Sequence, residues 1–346
     1  MRTAVFTIAV VLAVVLFAAG VARLALTQGQ IGLGGKDVRV PLRWIERLPE
    51  SPPALAAGDY GRRVQHGGLA RFYELHVPPG YDPSRPHPLV LVFHGGGSYP
   101  AGVRYESRMD EVSDREKFLV VYPGGTNQLR FPKDRLLTWN DGRKRRDGSA
   151  NTVDDVGFVV ALLADVARLV NVDPRRVYAA GYSNGAQFSY RLVKQQPERI
   201  AAVAAVAGQR AADDLFPPPE RAVPVMQFAG KLDRVGPYDG GGPPRRVEFI
   251  TNLKPIPVAI RSWAEWNGCP AEPTETQRVG RAVMTRYAGC RDNSEVVLWT
   301  LEDGGHTWPS GNVLPSSARE VGAVNRDIFA AELMWEFFER HPLPER

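Results

Sequence analysis

Apolar residues fall along this chain in short unbroken runs that alternate with stretches of helical period. Pro88-Leu89-Val90-Leu91-Val92-Phe93 and Phe118-Leu119-Val120-Val121-Tyr122 are apolar at every position, as strands covered on both faces are. Behind Asp154 and Asp155, the residues Val156, Val159, Val160, Leu163, Val166 and Val170 share one face at helical spacing, and the two acids suit the positive end of the helix they open. They read as capping or structural groups. Further strands are expected at 69–77, 176–180, 223–228, 283–287 and 295–301, and 200–206 reads as a short buried segment. Helices are expected from 184 toward Pro197, over 257–267 and over 327–340, the last with Ile328, Ala331, Leu333 and Phe337 facing the core. Strands alternating with helices predict an α/β fold, a mostly parallel central sheet with helices on both faces.

Outside these periodic segments the chain changes character. Residues 4–22 are apolar without a single charge, follow Arg2 and end in Gly20-Val21-Ala22, small residues that a signal peptidase accepts. Residues 1–26 are therefore expected to be a signal peptide for a secreted or periplasmic protein, or an uncleaved membrane anchor. Residues 27–68, rich in Gly, Pro and charge, read as a linker, and 69–346 as one catalytic domain. In an oxidising compartment Cys269 and Cys290 are expected to form a disulfide, a pair of buried thiols being the other reading. The net charge of +5 is scattered apart from Arg143-Lys144-Arg145-Arg146. No aromatic residues interleave that cluster and no nucleic-acid module accompanies it, so nucleic acid is not an expected partner. A solvated loop is one reading of it, and contact with an anionic surface or substrate is the other.

The chemistry centres on Gly181-Tyr182-Ser183-Asn184-Gly185, a G-x-S-x-G pattern between strand-like and helix-like segments. A serine at the tip of so tight a turn crowds the positions two before and two after it, and glycine relieves that crowding. Ser183 is the expected nucleophile and needs a base. Of six histidines, His306 follows a strand-like run, and its neighbours Gly304 and Gly305 let a loop swing the ring. His94 belongs to His94-Gly95-Gly96-Gly97 and shapes that turn. Asp233, in the loop after 223–228, completes the order Ser183, Asp233, His306; Asp239, Glu302 and Asp303 compete with it. Gly95 or Gly96, with Asn184, are expected to supply oxyanion donors. Trp139, Tyr182, Tyr238 and Trp308 are candidate substrate contacts, Trp139 equally a plug that seats its loop on the domain. No cofactor or metal is expected.

These motifs together resemble the polyhydroxybutyrate depolymerase-type esterases, related to the feruloyl and acetyl-xylan esterases of carbohydrate esterase family 1. The similarity runs through 88–97, Val153-Asp154-Asp155-Val156-Gly157-Phe158, 181–185, Asp233 with Pro237-Tyr238, Asn267-Gly268-Cys269 and Gly305-His306-Thr307-Trp308-Pro309. The resemblance implies an α/β-hydrolase fold, export, and cofactor-free hydrolysis of carboxylic esters by Ser183, His306 and Asp233. The sequence departs from the family in having Ala229-Gly230 where His-Gly is usual, and in its basic insertion. A serine peptidase of the same fold and a non-catalytic binding protein are the competing classes.

Overall fold

The structure, a computed structural model, describes residues 46–47, 55–127, 136–143, 151–208, 216–241, 253–315 and 317–345. The expected signal segment, most of the expected linker and Lys144-Arg145-Arg146 lie outside the described residues. Among the described residues no helix is long and apolar enough to cross a membrane.

Among the described residues eleven strands form one sheet: β1 (Glu46–Arg47), β2 (Gly58–His66), β3 (Leu69–Val77), β4 (His87–Phe93), β5 (Leu119–Pro123), β6 (Val172–Tyr182), β7 (Val203–Val206), β8 (Val225–Gly230), β9 (Glu275–Val279), β10 (Ala282–Tyr287) and β11 (Val296–Leu301). Their order is β1-β2-β3-β5-β4-β6-β7-β8-β11-β10-β9. From β5 through β11 every neighbouring pair is parallel; β3 and β2 on one side and β10 and β9 on the other add antiparallel pairs, and β1 lies parallel to β2. The helices among the described residues are α1 (Pro100–Ser107), α2 (Met109–Glu116), α3 (Asp155–Leu169), α4 (Asn184–Gln195), α5 (Ile256–Trp266), α6 (Ala318–Val321) and α7 (Ala330–Glu339).

The unbroken apolar runs are explained by two cores, one on each face. Leu89, Leu91 and Phe93 of β4 join a cluster with Phe158 and Leu162 of α3, Phe188 of α4 and Trp263 of α5. Val90 and Val92, which point the other way, join Val103, Val112, Met334 and Phe338 from α1, α2 and α7. The α3 start is capped by Asp154, whose Oδ1 accepts from Gly157 N at 2.8 Å. Asp155 is buried beside it and accepts from Arg71 at 2.7 Å and from Asn140 N at 2.6 Å.

The expected linker is corrected at its C-terminal part: residues 58–66 form β2, paired antiparallel along the whole of β3. Charge hides this strand, because Arg62 serves the fold by pairing with Asp165 of α3 at 2.6 Å. Two helices, α1 and α2, carry too short an apolar stripe to register as periodic. The edge strand β9 is exposed almost throughout and shows no alternation at all.

Candidate active site

The parallel arrangement brings four loops to one edge of the sheet. β4 ends in the glycine turn, its neighbour β6 ends at Ser183, β8 ends before Asp233, and β11, which pairs with β8, leads to His306. Loops beyond the carboxyl ends of parallel strands are where sheets of this kind place their sites.

Ser183 has φ 54° and ψ −117°, a left-handed backbone that a side chain adopts only under constraint. The constraint is packing. A Cβ on Gly181 would lie 2.4 Å from Gly185 O, and one on Gly185 would lie 2.4 Å from Phe93 O. No residue larger than glycine fits at either position, so the turn holds its serine out at the head of α4.

Asp233 and His306 are both buried, and His306 Nδ1 lies 2.7 Å from Asp233 Oδ2. The other carboxylate oxygen, Oδ1, accepts from Val235 N and Gly236 N at 2.8 Å each. A carboxylate held this way can only accept, so Nδ1 carries the proton and Nε2 is left as the basic nitrogen. The imidazole loop is fixed from behind: His306 N donates to Val321 O at 2.6 Å, and the Tyr182 hydroxyl donates to His306 O. Burial holds that hydroxyl well above the usual tyrosine range, so it stays a donor. Among the described residues no hydrogen bond joins Ser183 Oγ to His306. Tyr182, chain neighbour of the serine, links the two segments: its ring lies 5.2 Å from the imidazole.

The glycine turn packs directly on the elbow. A Cβ on Gly95 would lie 3.1 Å from the Tyr182 ring and 3.4 Å from Ser183 Cβ, and one on Gly96 would lie 3.5 Å from Asn184 Cβ. His94 shapes this turn from within the core. Its Nε2 accepts from Gly125 N at 3.0 Å, so Nδ1 carries the proton and donates to Gly95 O at 2.8 Å. Burial pushes its pKa down to about 4, which keeps the ring neutral. With Ser98 N also donating to Gly95 O at 3.1 Å, that peptide is fixed, and the Gly96 N–H on its opposite side is fixed with it. Among the described residues neither Gly96 N nor Asn184 N has a backbone acceptor.

Three of the four candidate aromatic residues are buried, and Trp139 takes the plug role, one of its two equal readings. Trp139 is 2 % exposed, stacks on Phe188 at 4.9 Å, and donates from its indole to His94 O at 3.0 Å, so it plugs its loop onto the domain. Tyr182 is 7 % exposed and supports His306; Trp308 is 2 % exposed and packs 6.5 Å from the Tyr182 ring. Tyr238 is half-buried, with its hydroxyl 2.8 Å from Thr300 Oγ1 on β11. Sequence reading missed the latch between the Trp139 loop and the elbow. Asn184 Oδ1 accepts from Trp139 N at 2.7 Å, and Asn184 Nδ2 donates to Asp141 Oδ2 at 2.8 Å. The triplet Trp139-Asn140-Asp141, polar groups around a buried ring inside a long loop, was the signal for it.

Cys269 and Cys290 are joined in the structure, 21 residues apart. Among the described residues Asp59, His76 and Asp110 group closely enough to hold a metal ion. Arg104 already lies among them, pairing with Asp59 and, at 2.5 Å, with Asp110. His76 bonds Asp59 and Asp114 through its two nitrogens, and these hydrogen bonds and charges outweigh burial and raise its pKa. The group is a charge network that ties α1 and α2 to β2 and β3.

Residues 71–235 match the family model described as "Esterase PHB depolymerase". A Nocardia uniformis subsp. tsuyamanensis protein named "Putative esterase NocK" is 28 % identical over 309 residues, covering 85 % of this chain and 87 % of its own length. Feruloyl esterase B of Piromyces equi is 31 % identical over 244 residues, covering 68 % of this chain and 42 % of that protein. Among solved structures, an acetyl xylan esterase from Aspergillus awamori superposes with a TM-score of 0.53 at 13 % identity, covering 81 % of this chain and 99 % of that one. An S-formylglutathione hydrolase from Agrobacterium tumefaciens gives 0.50 at 14 % identity, covering 82 % and 95 %. At these identities the two structures speak for the fold, which is that of the α/β-hydrolases.

Proposed function

We propose that this chain, a carboxylic ester hydrolase whose residues 71–235 match the esterase PHB depolymerase model, works as a serine esterase with Ser183 as nucleophile, His306 as base and then acid, and Asp233 as the group that orients the imidazole. The observation that carries this reading is the buried 2.7 Å pair of His306 Nδ1 and Asp233 Oδ2 beside a serine held at φ 54°. Asp233 fixes the tautomer and stabilises the imidazolium that forms.

In the first step Ser183 Oγ attacks the ester carbonyl as its proton passes to His306 Nε2, forming a tetrahedral oxyanion. The N–H groups of Gly96 and Asn184 are the donors for that charge, each worth about 3–4 kcal/mol of barrier. His306 then gives its proton to the departing alcohol, leaving an acyl-serine. Water, deprotonated by the same imidazole, releases the acid and restores the serine. The substrate is an ester of the feruloyl, acetyl or hydroxyalkanoate kind, as the named activities of the relatives suggest. The apolar run at 4–22 and the Cys269–Cys290 pair support action outside the cytoplasm.

Ser183→Ala is expected to abolish hydrolysis of p-nitrophenyl acetate and labelling by a fluorophosphonate probe while leaving the urea unfolding curve in place. Near-normal turnover by the folded variant would overturn the assignment. A wild-type protein that the probe fails to label would favour a binding role.

A further inference from the structure

We propose that Arg143 anchors a carboxylate carried by the ester substrate, making anionic esters the preferred class; the inference rests on the serine-esterase reading above. Arg143 opens the basic cluster of the long loop, yet it is no solvated surface residue: its side chain is 14 % exposed. Two of its guanidinium nitrogens are committed to one carboxylate, Nε at 2.8 Å and Nη2 at 2.5 Å from Asp141 Oδ2. The backbone N–H of Arg143 donates to the other oxygen, Oδ1, at 3.1 Å. The third nitrogen, Nη1, is buried and makes no hydrogen bond.

The position of this group is fixed relative to the chemistry. Asp141 Oδ2, which holds the guanidinium, also accepts from Asn184 Nδ2 at 2.8 Å. Asn184 immediately follows the nucleophile and offers its own N–H toward the oxyanion. Arg143 is thus two hydrogen bonds from the side chain of an active-site residue, and the clamp to Asp141 removes most of the rotamer freedom that a free arginine loses on binding. A buried guanidinium nitrogen without an acceptor is costly in the empty protein, because burial has stripped its water and supplied nothing in return. An acceptor brought by the substrate reverses that cost. A carboxylate matches best, since hydrogen bonds between two charged groups are about twice as strong as neutral ones. Asp141 is already shared between Arg143 and Asn184, so it does not take up the third donor.

Two matched pairs of esters test the proposal, one for each side of the scissile bond. Monomethyl adipate against methyl hexanoate places the carboxylate on the acyl part; 4-acetoxybutanoate against butyl acetate places it on the alcohol part. The wild-type protein is expected to favour the carboxylate-bearing member of at least one pair in kcat/KM. Arg143→Ala should lower that preference ratio about tenfold or more, and Arg143→Lys, which keeps the charge but loses the fork, should restore only part of it. If Arg143 merely braces Asp141 and Asn184, both members of each pair lose activity equally and the ratio stays, which overturns the proposal. A wild-type protein that hydrolyses the neutral esters and shows no carboxylate preference also overturns it. Failure to hydrolyse any of the four would instead sink the esterase reading on which it rests.

Discussion

Replacing Glu106 with glutamine should remove a pH dependence that the wild-type protein carries in its core. Glu106 lies near the end of α1, is 6 % exposed, and its Oε2 has no hydrogen-bond partner. The loop after His306 packs over it: Asn312 N donates to the Glu106 carbonyl, and a Cβ on Gly311 would fall 2.2 Å from that same oxygen and 2.8 Å from Trp308 Cβ. Burial, with no cation among the described residues to offset it, pushes the carboxyl from 4.5 up to about 8. In the unfolded chain this proton leaves above about pH 4.5, whereas the folded protein keeps it until about pH 8. Between those values the native state binds the additional proton, so stability falls as pH rises. At about 1.4 kcal/mol per pH unit across that interval, the native state loses about 5 kcal/mol. Glutamine does not titrate. Its amide leaves one more buried donor hydrogen without a partner than the protonated carboxyl does, so the variant starts at pH 5 about 1–3 kcal/mol less stable than wild type and ends at pH 9 more stable. Glu74, which burial pushes up to about 7 despite Arg104, titrates in both proteins and cancels from the difference. Urea unfolding midpoints at half-unit steps from pH 5 to 9 read the effect directly. Two curves that run parallel would refute the reasoning, since they would mean that Glu106 ionises alike in both states.

Asp233→Asn keeps the shape of the partner of His306 but presents an amide that can force the proton onto Nε2; kcat on p-nitrophenyl acetate should fall by about 10⁴ with KM little changed. A fall of less than tenfold would return Asp239, Glu302 or Asp303 to consideration. Reduction of Cys269–Cys290, which bridges the end of α5 to the segment before β11, should lower stability by about 3 kcal/mol in the chain-entropy account. Urea midpoints with and without dithiothreitol measure this, and coincident midpoints would show that packing alone holds the two segments.

The parts of the site that were legible in the sequence are those where geometry admits few residue types. Gly181 and Gly185 are required because backbone oxygens stand 2.4 Å from where a Cβ would be, and this exclusion writes itself into the sequence as G-x-S-x-G. Gly230 is required for the same reason at the other end of the site: a Cβ there would lie 2.3 Å from Gly304 O, and that close approach lets the loops of Asp233 and His306 meet. The direction an aromatic ring faces leaves no such trace. Trp139, Tyr182 and Trp308 have the composition of a binding platform, yet each is turned inward, one to plug a loop, one to hold a histidine carbonyl, one to pack beside it. Charge misled in the same way. Arg62 made a strand look like linker because its partner, Asp165, lies 103 positions away. Arg143 made a latch look like a solvated loop because Asp141 and Asn184, which give it meaning, are joined only in three dimensions. Sequence therefore reveals how the serine is exposed, since that demand falls on neighbours in the chain. What the serine meets is decided by pairings such as Asn184 with Asp141, between residues 43 apart, and those are set by which strands lie side by side in the sheet.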